Sequence, residues 1–320
     1  MKAAMIGTWH VHTEEYANAI INNPKSELVA VWDSNPERGR AFAEKHGIPF
    51  TSDYNEILQN KEIDSVAICT ATNEHPEVIT KAAKAGKNIF TEKVLAFTTR
   101  EAKDICAAID GEGGKFTISF PHLTFPKLRF AKELLESGKL GEITYARVRN
   151  VHNGATAGWL PPHFYDKVQC GGGAMMDLGA HPMYTLHWLL GEPQSIVSTF
   201  TSVTGKAVED NAVSVITFKN GAIGVSETGF VSEDNPYTLE LSGTQGALMI
   251  HGDEVRYCST DTDHKWVTAE TLPQEMPLPV HQWIDAVADG TPAPFGTKEA
   301  YSLTQFMEGA YLALEKKYNF

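Results

Sequence analysis

The chain has 320 residues, 42% hydrophobic and 21% charged, which suits two folded domains and excludes a disordered chain. Lys and Arg total 27 against 40 Asp and Glu, a formal charge of −13, so neither a nucleic-acid backbone nor an anionic membrane is an expected partner. No apolar run approaches the roughly 18 residues of a spanning helix, and the first one is too short for a signal peptide. Cys69, Cys106, Cys170 and Cys258 form no C-x-x-C pair and read as buried thiols of a cytoplasmic protein.

Residues 3–6 form an apolar, strand-like run, and 13–21 place Tyr16, Ala17, Ile20 and Ile21 on one helical face. A buried strand over 27–32 ends at Asp33. The stretch 36–46 reads as a helix, with Pro36 in its first turn and Gly47 at its stop. A short helix at 53–59, a strand at 65–69, a helix at 75–85 closed by Gly86, a strand at 88–90, a helix at 98–108 and a strand at 115–119 follow. Alternating strands and helices with short turns predict a doubly wound parallel sheet. Beyond about residue 120 the texture changes. One helix (125–137) precedes strands at 143–151, 195–203, 213–218, 223–230, 238–242, 247–251, 255–258 and 266–269, with an N-G hairpin turn at 219–221. Helices are expected at 179–190, 280–288 and 298–317. The predicted class is α/β: an N-terminal Rossmann domain (1–120) and a C-terminal α+β domain (121–320) with a large, mostly antiparallel sheet. The closing helix can pack back on the first domain.

Gly7-Thr8-Trp9-His10-Val11-His12 sits where a dinucleotide-binding protein carries G-x-G-x-x-G, and only the first glycine is kept. Gly7 serves the tight turn. The helix start offers N–H groups to a phosphate, and Thr8 or Thr13 can add a hydroxyl. Asp33 lies 21 positions after His12, where an acid bonds the adenosine ribose hydroxyls and repels a 2′-phosphate, so NAD is favoured over NADP. Arg38, near the same turn, could accommodate that phosphate. His10 and His12 form an H-x-H pair without a cysteine or carboxylate ligand set nearby in sequence, so no metal is expected.

Two further stretches are more specific: Ala85-Gly86-Lys87-Asn88-Ile89-Phe90-Thr91-Glu92-Lys93, and Gly171-Gly172-Gly173-Ala174-Met175-Met176-Asp177-Leu178-Gly179-Ala180-His181. With Thr70-Ala71-Thr72-Asn73-Glu74-His75 and the S-G-K-L-G-E-I of 137–143, they resemble the glucose–fructose oxidoreductase / inositol dehydrogenase / MocA family over the whole length. The resemblance implies a catalytic group of Lys93, Asp177 and His181. It implies a cofactor site drawn from Gly7, Thr8, Trp9, His10, Val11, Asp33, Arg38, Thr70, Ala71, Thr72, Asn73, His75, Glu92 and Lys93. His181 would be the general base oriented by Asp177, and Lys93 would stabilise the substrate oxygen. The family's proline after the lysine is Val94 here, and a trans Lys93–Val94 bond is expected. His122, His152, Asn153, Trp159 and His163 are candidate substrate contacts. The expected activity is NAD-dependent hydride transfer at a carbinol carbon of a sugar, cyclitol or sugar derivative. The alternatives are an NAD-retaining glycosidase or eliminase using transient oxidation, and a non-catalytic dinucleotide-binding regulator. The family commonly pairs subunits through the large sheet, so a homodimer or homotetramer is expected.

Overall fold

The computed structural model describes residues 1–233 and 237–314; the last part of the expected 298–317 helix lies outside them. The chain divides into two compact units, one of Met1–Pro121 with Pro277–Thr304, the other of His122–Met276 with Gln305–Phe320.

In the first unit, strands β1 (Lys2–Ile6), β2 (Glu27–Trp32), β3 (Phe50–Thr51), β4 (Ser65–Ile68), β5 (Asn88–Thr91) and β6 (Phe116–Ile118) form a parallel sheet in the order β3-β2-β1-β4-β5-β6. The order reverses direction between β1 and β4, which opens a crevice beyond their carboxyl ends. Strand β3 is the element that periodicity missed, because two residues carry no alternation to read. Helices α1 (Thr13–Ile21), α2 (Pro36–His46), α3 (Tyr54–Gln59), α4 (His75–Lys84) and α5 (Thr99–Glu112) connect the strands. Asn35 caps α2 by accepting from the N–H groups of Glu37 and Arg38, and Gly47 ends it in the left-handed conformation. A capping box between Thr98 and Glu101 starts α5. The α1 face read from the sequence is buried at Tyr16, Ala17 and Ile20, but Ile21, the last helical residue, is exposed. It shares a core with Phe90 of β5 and with Val280, Trp283 and Ile284 of the late helix α9 (Pro279–Asp289). The fully buried indole of Trp283 lies 5.6 Å from the Phe90 ring.

The second unit is built on an eight-stranded sheet, ordered β14-β13-β12-β11-β7-β10-β9-β8. Its strands are β7 (Ile143–Val151), β8 (Pro193–Thr201), β9 (Asn211–Phe218), β10 (Ile223–Gly229), β11 (Thr238–Gly243), β12 (Ala247–His251), β13 (Glu254–Cys258) and β14 (Val267–Thr268). Pairing is antiparallel except between β7 and β10. Alternation sorts the faces. Ala146, Val148, Ile216, Phe218, Leu239, Leu241, Leu248 and Ile250 are buried, on the side of α8 (Ala180–Leu190), where Leu186 approaches Gly224. The opposite face shows Val213, Val215, Ile223 and Met249 to solvent. Helices α6 (Pro126–Glu136) and α7 (Lys167–Cys170) complete this unit, and α10 (Thr297–Leu312) is divided between the two units.

Candidate active site

The β1–α1 turn is tighter than its missing glycines suggest. Gly7 has φ +76°, and an added Cβ would lie 2.5 Å from Thr70 Cγ2 and 2.7 Å from Thr70 Cα, so only glycine fits. Trp9 is 5% exposed and packs into the core, which is how a bulky ring is tolerated at the second glycine position. The loop's own N–H groups are largely used in holding it. Thr8 donates to Asp33 (2.7 Å), and Trp9 and His10 both donate to the Cys69 carbonyl (3.1 and 3.2 Å). Val11 is exposed.

Asp33, 1% exposed, accepts five bonds: from Thr8 N and Oγ1, Asn35 N, and Arg38 Nε and Nη2, at 2.6–2.9 Å. The acid and the arginine, read from the sequence as alternatives, are thus a bidentate pair. Beside them Ser34 donates to Glu74 Oε1 at 2.8 Å, while Glu74 Oε2 and the Thr70 hydroxyl are buried without a partner. Burial and, after it, the Asp33 charge raise the Glu74 pKa. Ala71 and Thr72 are buried and Asn73 is exposed. Thr8, His10, Thr13, Arg38 and Lys45 also line a cleft of about 250 Å³. Glu74 Oε2 and the Thr70 hydroxyl, buried without partners, fit the ribose hydroxyls of a dinucleotide, while the two cations of the cleft are already paired, Arg38 with Asp33 and Lys45 with Glu14, which also lines it.

At the end of β5, Glu92 is 2% and Lys93 5% exposed. Glu92 accepts from Tyr16 Oη (3.0 Å) and Lys93 N (3.1 Å), and its other oxygen lies 2.9 Å from His12 Nδ1 and 3.5 Å from His10 Nδ1. Burial alone would raise its pKa. His10, His12 and Lys93 outweigh that and hold the carboxyl well below its usual range. The sequence showed an isolated H-x-H pair; folding adds a carboxylate from 80 residues away. The Lys93–Val94 peptide, expected trans, is cis. Its surroundings are buried, and His75 Nδ1–H is shared between the carbonyls of Val94 (2.9 Å) and Leu95 (3.2 Å). Packing of this segment therefore decides a geometry that sequence preference assigned the other way. His75 itself is 1% exposed, and burial lowers its pKa.

In the second unit, Gly172 and Gly173 are small for a steric reason: a Cβ would strike the Tyr311 hydroxyl or the Glu209 carbonyl. Glu209 Oε1 gathers Gly173 N (2.8 Å), Met175 N (3.0 Å) and Tyr311 Oη (2.6 Å). This anchors the turns before α8, where Asp177 N–H donates to Gly173 O at 3.0 Å. Neither Glu209 nor Tyr311 belongs to a motif, so sequence reading missed both. His181 is 5% exposed in the first turn of α8, with Nδ1 2.7 Å from the Tyr184 hydroxyl. Tyr184 is the orienting partner the sequence did not reveal; its oxygen also accepts from His122 N at 3.2 Å. The His122 ring stacks on His181 with centroids 4.1 Å apart, so the structure brings His122, His181 and Tyr184 together. A separate cluster joins His152, stacked on Phe230 at 5.0 Å, to Trp159, which is 56% exposed and donates to Asn153 Oδ1 at 3.1 Å. Asn153 in turn donates to Glu233 at 2.6 Å. His163 is half-buried, and its carbonyl accepts from the Cys170 thiol.

A doubly wound sheet with a close-turning first loop, followed by a unit carrying an oriented histidine, defines a dinucleotide-binding oxidoreductase. Residues 1–120 match the oxidoreductase family with an NAD-binding Rossmann fold, and residues 128–249 match the GFO/IDH/MocA C-terminal domain. The chain belongs to the Gfo/Idh/MocA oxidoreductase family. It is 28% identical over 261 residues to scyllo-inositol 2-dehydrogenase (NAD(+)) of Bacillus subtilis (strain 168), covering 78% of this chain and 73% of that one. It is 29% identical over 248 residues to D-glucoside 3-dehydrogenase of Escherichia coli (strain K12), covering 72% and 70%. Levoglucosan dehydrogenase in complex with NADH and levoglucosan shares the fold, with a TM-score of 0.85 at 23% identity over 98% of this chain and 96% of that one. Among the described residues no helix is long and apolar enough to cross a membrane.

Proposed function

We propose that the chain is an NAD-dependent dehydrogenase acting on a carbinol carbon of a sugar, cyclitol or sugar derivative. The observation that carries this is the retention, in a chain matching both family domains, of the buried Glu92-Lys93 segment and of a buried, tyrosine-oriented His181. Support for the substrate class comes from the relatives, which include dehydrogenases of inositols and of D-glucosides. Bound NAD would supply the hydride acceptor for the carbinol carbon. Arg38, Thr70 and Glu74 would hold the adenosine half. The start of α1 would hold the phosphates, the Thr8 and Thr13 donors being engaged by Asp33 and the His10 carbonyl.

His181 takes the hydroxyl proton as hydride leaves. Tyr184 on Nδ1 fixes the ring's orientation, and Asp177 stabilises its protonated form. Lys93 stabilises negative charge growing on the substrate oxygen. His122, stacked on His181, contributes a polar wall; Trp159 with Asn153, and His152 with His163, contact outer parts of the substrate. The four cysteines are unpaired, which suits a reducing cytoplasm. The test is a panel of cyclitols, aldoses and glycosides with NAD, followed at the NADH absorbance band. Stoichiometric NADH supports the reading. Turnover without net NADH would point to transient oxidation instead, and no turnover by any member would refute the substrate class.

A further inference from the structure

A Rossmann sheet seats the adenosine ribose at the carboxyl end of its second strand, and the acid there normally decides between NAD and NADP. Asp33 occupies that place but has little left to decide with. Its five accepted bonds exceed the roughly four lone-pair positions of a carboxylate. Its charge is matched by Arg38, which reaches it through two nitrogens at 2.6 and 2.9 Å. The Asp33 side chain is wholly covered, whereas that of Arg38 is 32% exposed. The pair therefore shows the crevice a guanidinium, a group that attracts phosphate. On its own it would admit a 2′-phosphate.

A second acid reaches the same edge from β4. Glu74 ends the 3₁₀ turn Thr72–Glu74 that follows β4, and β4 lies across β1 from β2. Its Oε1 accepts from the hydroxyl of Ser34, the residue after Asp33, at 2.8 Å. The carboxylate is thus held at the end of β2, near enough to Asp33 and Arg38 to feel both charges. Its Oε2 is buried and accepts nothing, and Arg38 Nε and Nη2 are already engaged by Asp33.

We infer that Glu74 is the residue that selects NAD over NADP: its Oε2 accepts the 2′-hydroxyl of the adenosine ribose, and the same carboxylate repels a 2′-phosphate. This rests on the NAD-dependent reading above and adds the group that makes the cofactor choice. The hydroxyl donates to an acceptor that is otherwise stranded. A dianionic phosphate has no proton to give there. It sets charge against charge in a half-buried place, where screening by salt is weak. The Thr70 hydroxyl, four residues earlier and also buried without a partner, offers the ribose oxygens a donor. The choice is thus made by repulsion of the wrong cofactor as well as by a bond to the right one.

The test is fluorescence titration of the whole chain with NADH and with NADPH, in a mildly alkaline buffer where the carboxyl and the 2′-phosphate are both ionised. The wild type should bind NADH at least roughly tenfold more tightly than NADPH. Glu74→Gln keeps the shape, accepts from Ser34 through its carbonyl and removes the charge. It should lower the ratio of the NADPH Kd to the NADH Kd by roughly 10–100-fold, mainly by tightening NADPH, with the NADH Kd changed by no more than about threefold. The retained NADH affinity reports an intact fold. Glu77→Gln removes the same charge from an exposed neighbour paired with Lys81 and should leave the ratio within about twofold. A ratio unmoved in Glu74→Gln, or moved equally in Glu77→Gln, overturns the assignment while NADH binding, and with it the dehydrogenase reading, stands. A wild type that prefers NADPH, or binds neither cofactor, overturns both.

Discussion

Replacing Gly7 by alanine isolates the close approach on which the cofactor loop depends. At φ +76° any Cβ is strained, by about 1–2 kcal/mol. At Gly7 the Cβ would also lie 2.7 Å from Thr70 Cα and 2.8 Å from Thr70 N, about 0.7 Å inside an ordinary 3.4 Å contact. Both are backbone atoms, so either β1 or the Thr70 loop must move, at a further cost of about 1–3 kcal/mol. Gly47 is the matched control: φ is +66°, with nothing within 4 Å of its Cβ position, so Gly47→Ala incurs the conformational strain alone. Urea unfolding should place Gly7→Ala about 1–3 kcal/mol below Gly47→Ala. A displacement of that size at the Thr70 loop should weaken NADH, followed by fluorescence titration, by at least about tenfold, while Gly47→Ala binds as wild type. Equal stability of the two variants together with unchanged NADH affinity would refute both the steric argument and the assignment of this turn to the cofactor.

Asp33→Ala strands the Arg38 guanidinium and two N–H donors, so it should destabilise the chain by roughly 2–4 kcal/mol in urea titrations and weaken NADH more than NADPH; unchanged stability would contradict the five-bond role. His181→Ala and Lys93→Ala should each lower kcat by roughly 10²–10⁴ with NADH affinity nearly constant, and the rise of rate with pH should vanish in His181→Ala; normal turnover there would move the base elsewhere. Acid should destabilise the fold in two ranges. Burial lowers the His75 pKa from 6.5, and nearby cations hold Glu92 below 4.5 despite its burial. At both groups the unfolded chain binds more protons than the native one below the unfolded pKa, so stability is complete above 6.5 and 4.5 respectively and falls as pH drops below each. Urea midpoints measured across that span should show both declines, and a flat profile would contradict them. The half-exposed Val213, Val215, Ile223 and Met249 on the outer sheet face should be covered by a second copy; light scattering should give a dimer or tetramer, with Val215→Glu shifting it toward monomer, and a monomeric wild type would refute this.

The alternation of strand and helix, and the switch to long alternating strands after residue 120, were legible because burial repeats every two residues on a half-covered sheet and about every 3.6 on a helix. Thus β7 and β12 have the limits the pattern predicted, Ile143–Val151 and Ala247–His251. Gly7 was legible as a turn; Lys93, Asp177 and His181 stood out only through the family resemblance, and their catalytic role is a proposal. What the sequence could not show were partners chosen by tertiary contact. Asp33 reads as an acid awaiting a ribose, yet it is saturated by Thr8, Asn35 and Arg38, leaving Glu74 as the acceptor still open. Tyr184 behind His181 and Glu209 beneath the glycines carry no local signature. The His10–His12 pair looked isolated because Glu92 is 80 residues beyond His12, and only the sheet, in which β1 and β5 flank β4, brings it near. Periodicity reports which face of an element is buried; which atom meets which is decided by the closing of the sheet, where donors, acceptors and charges excluded from water must find one another.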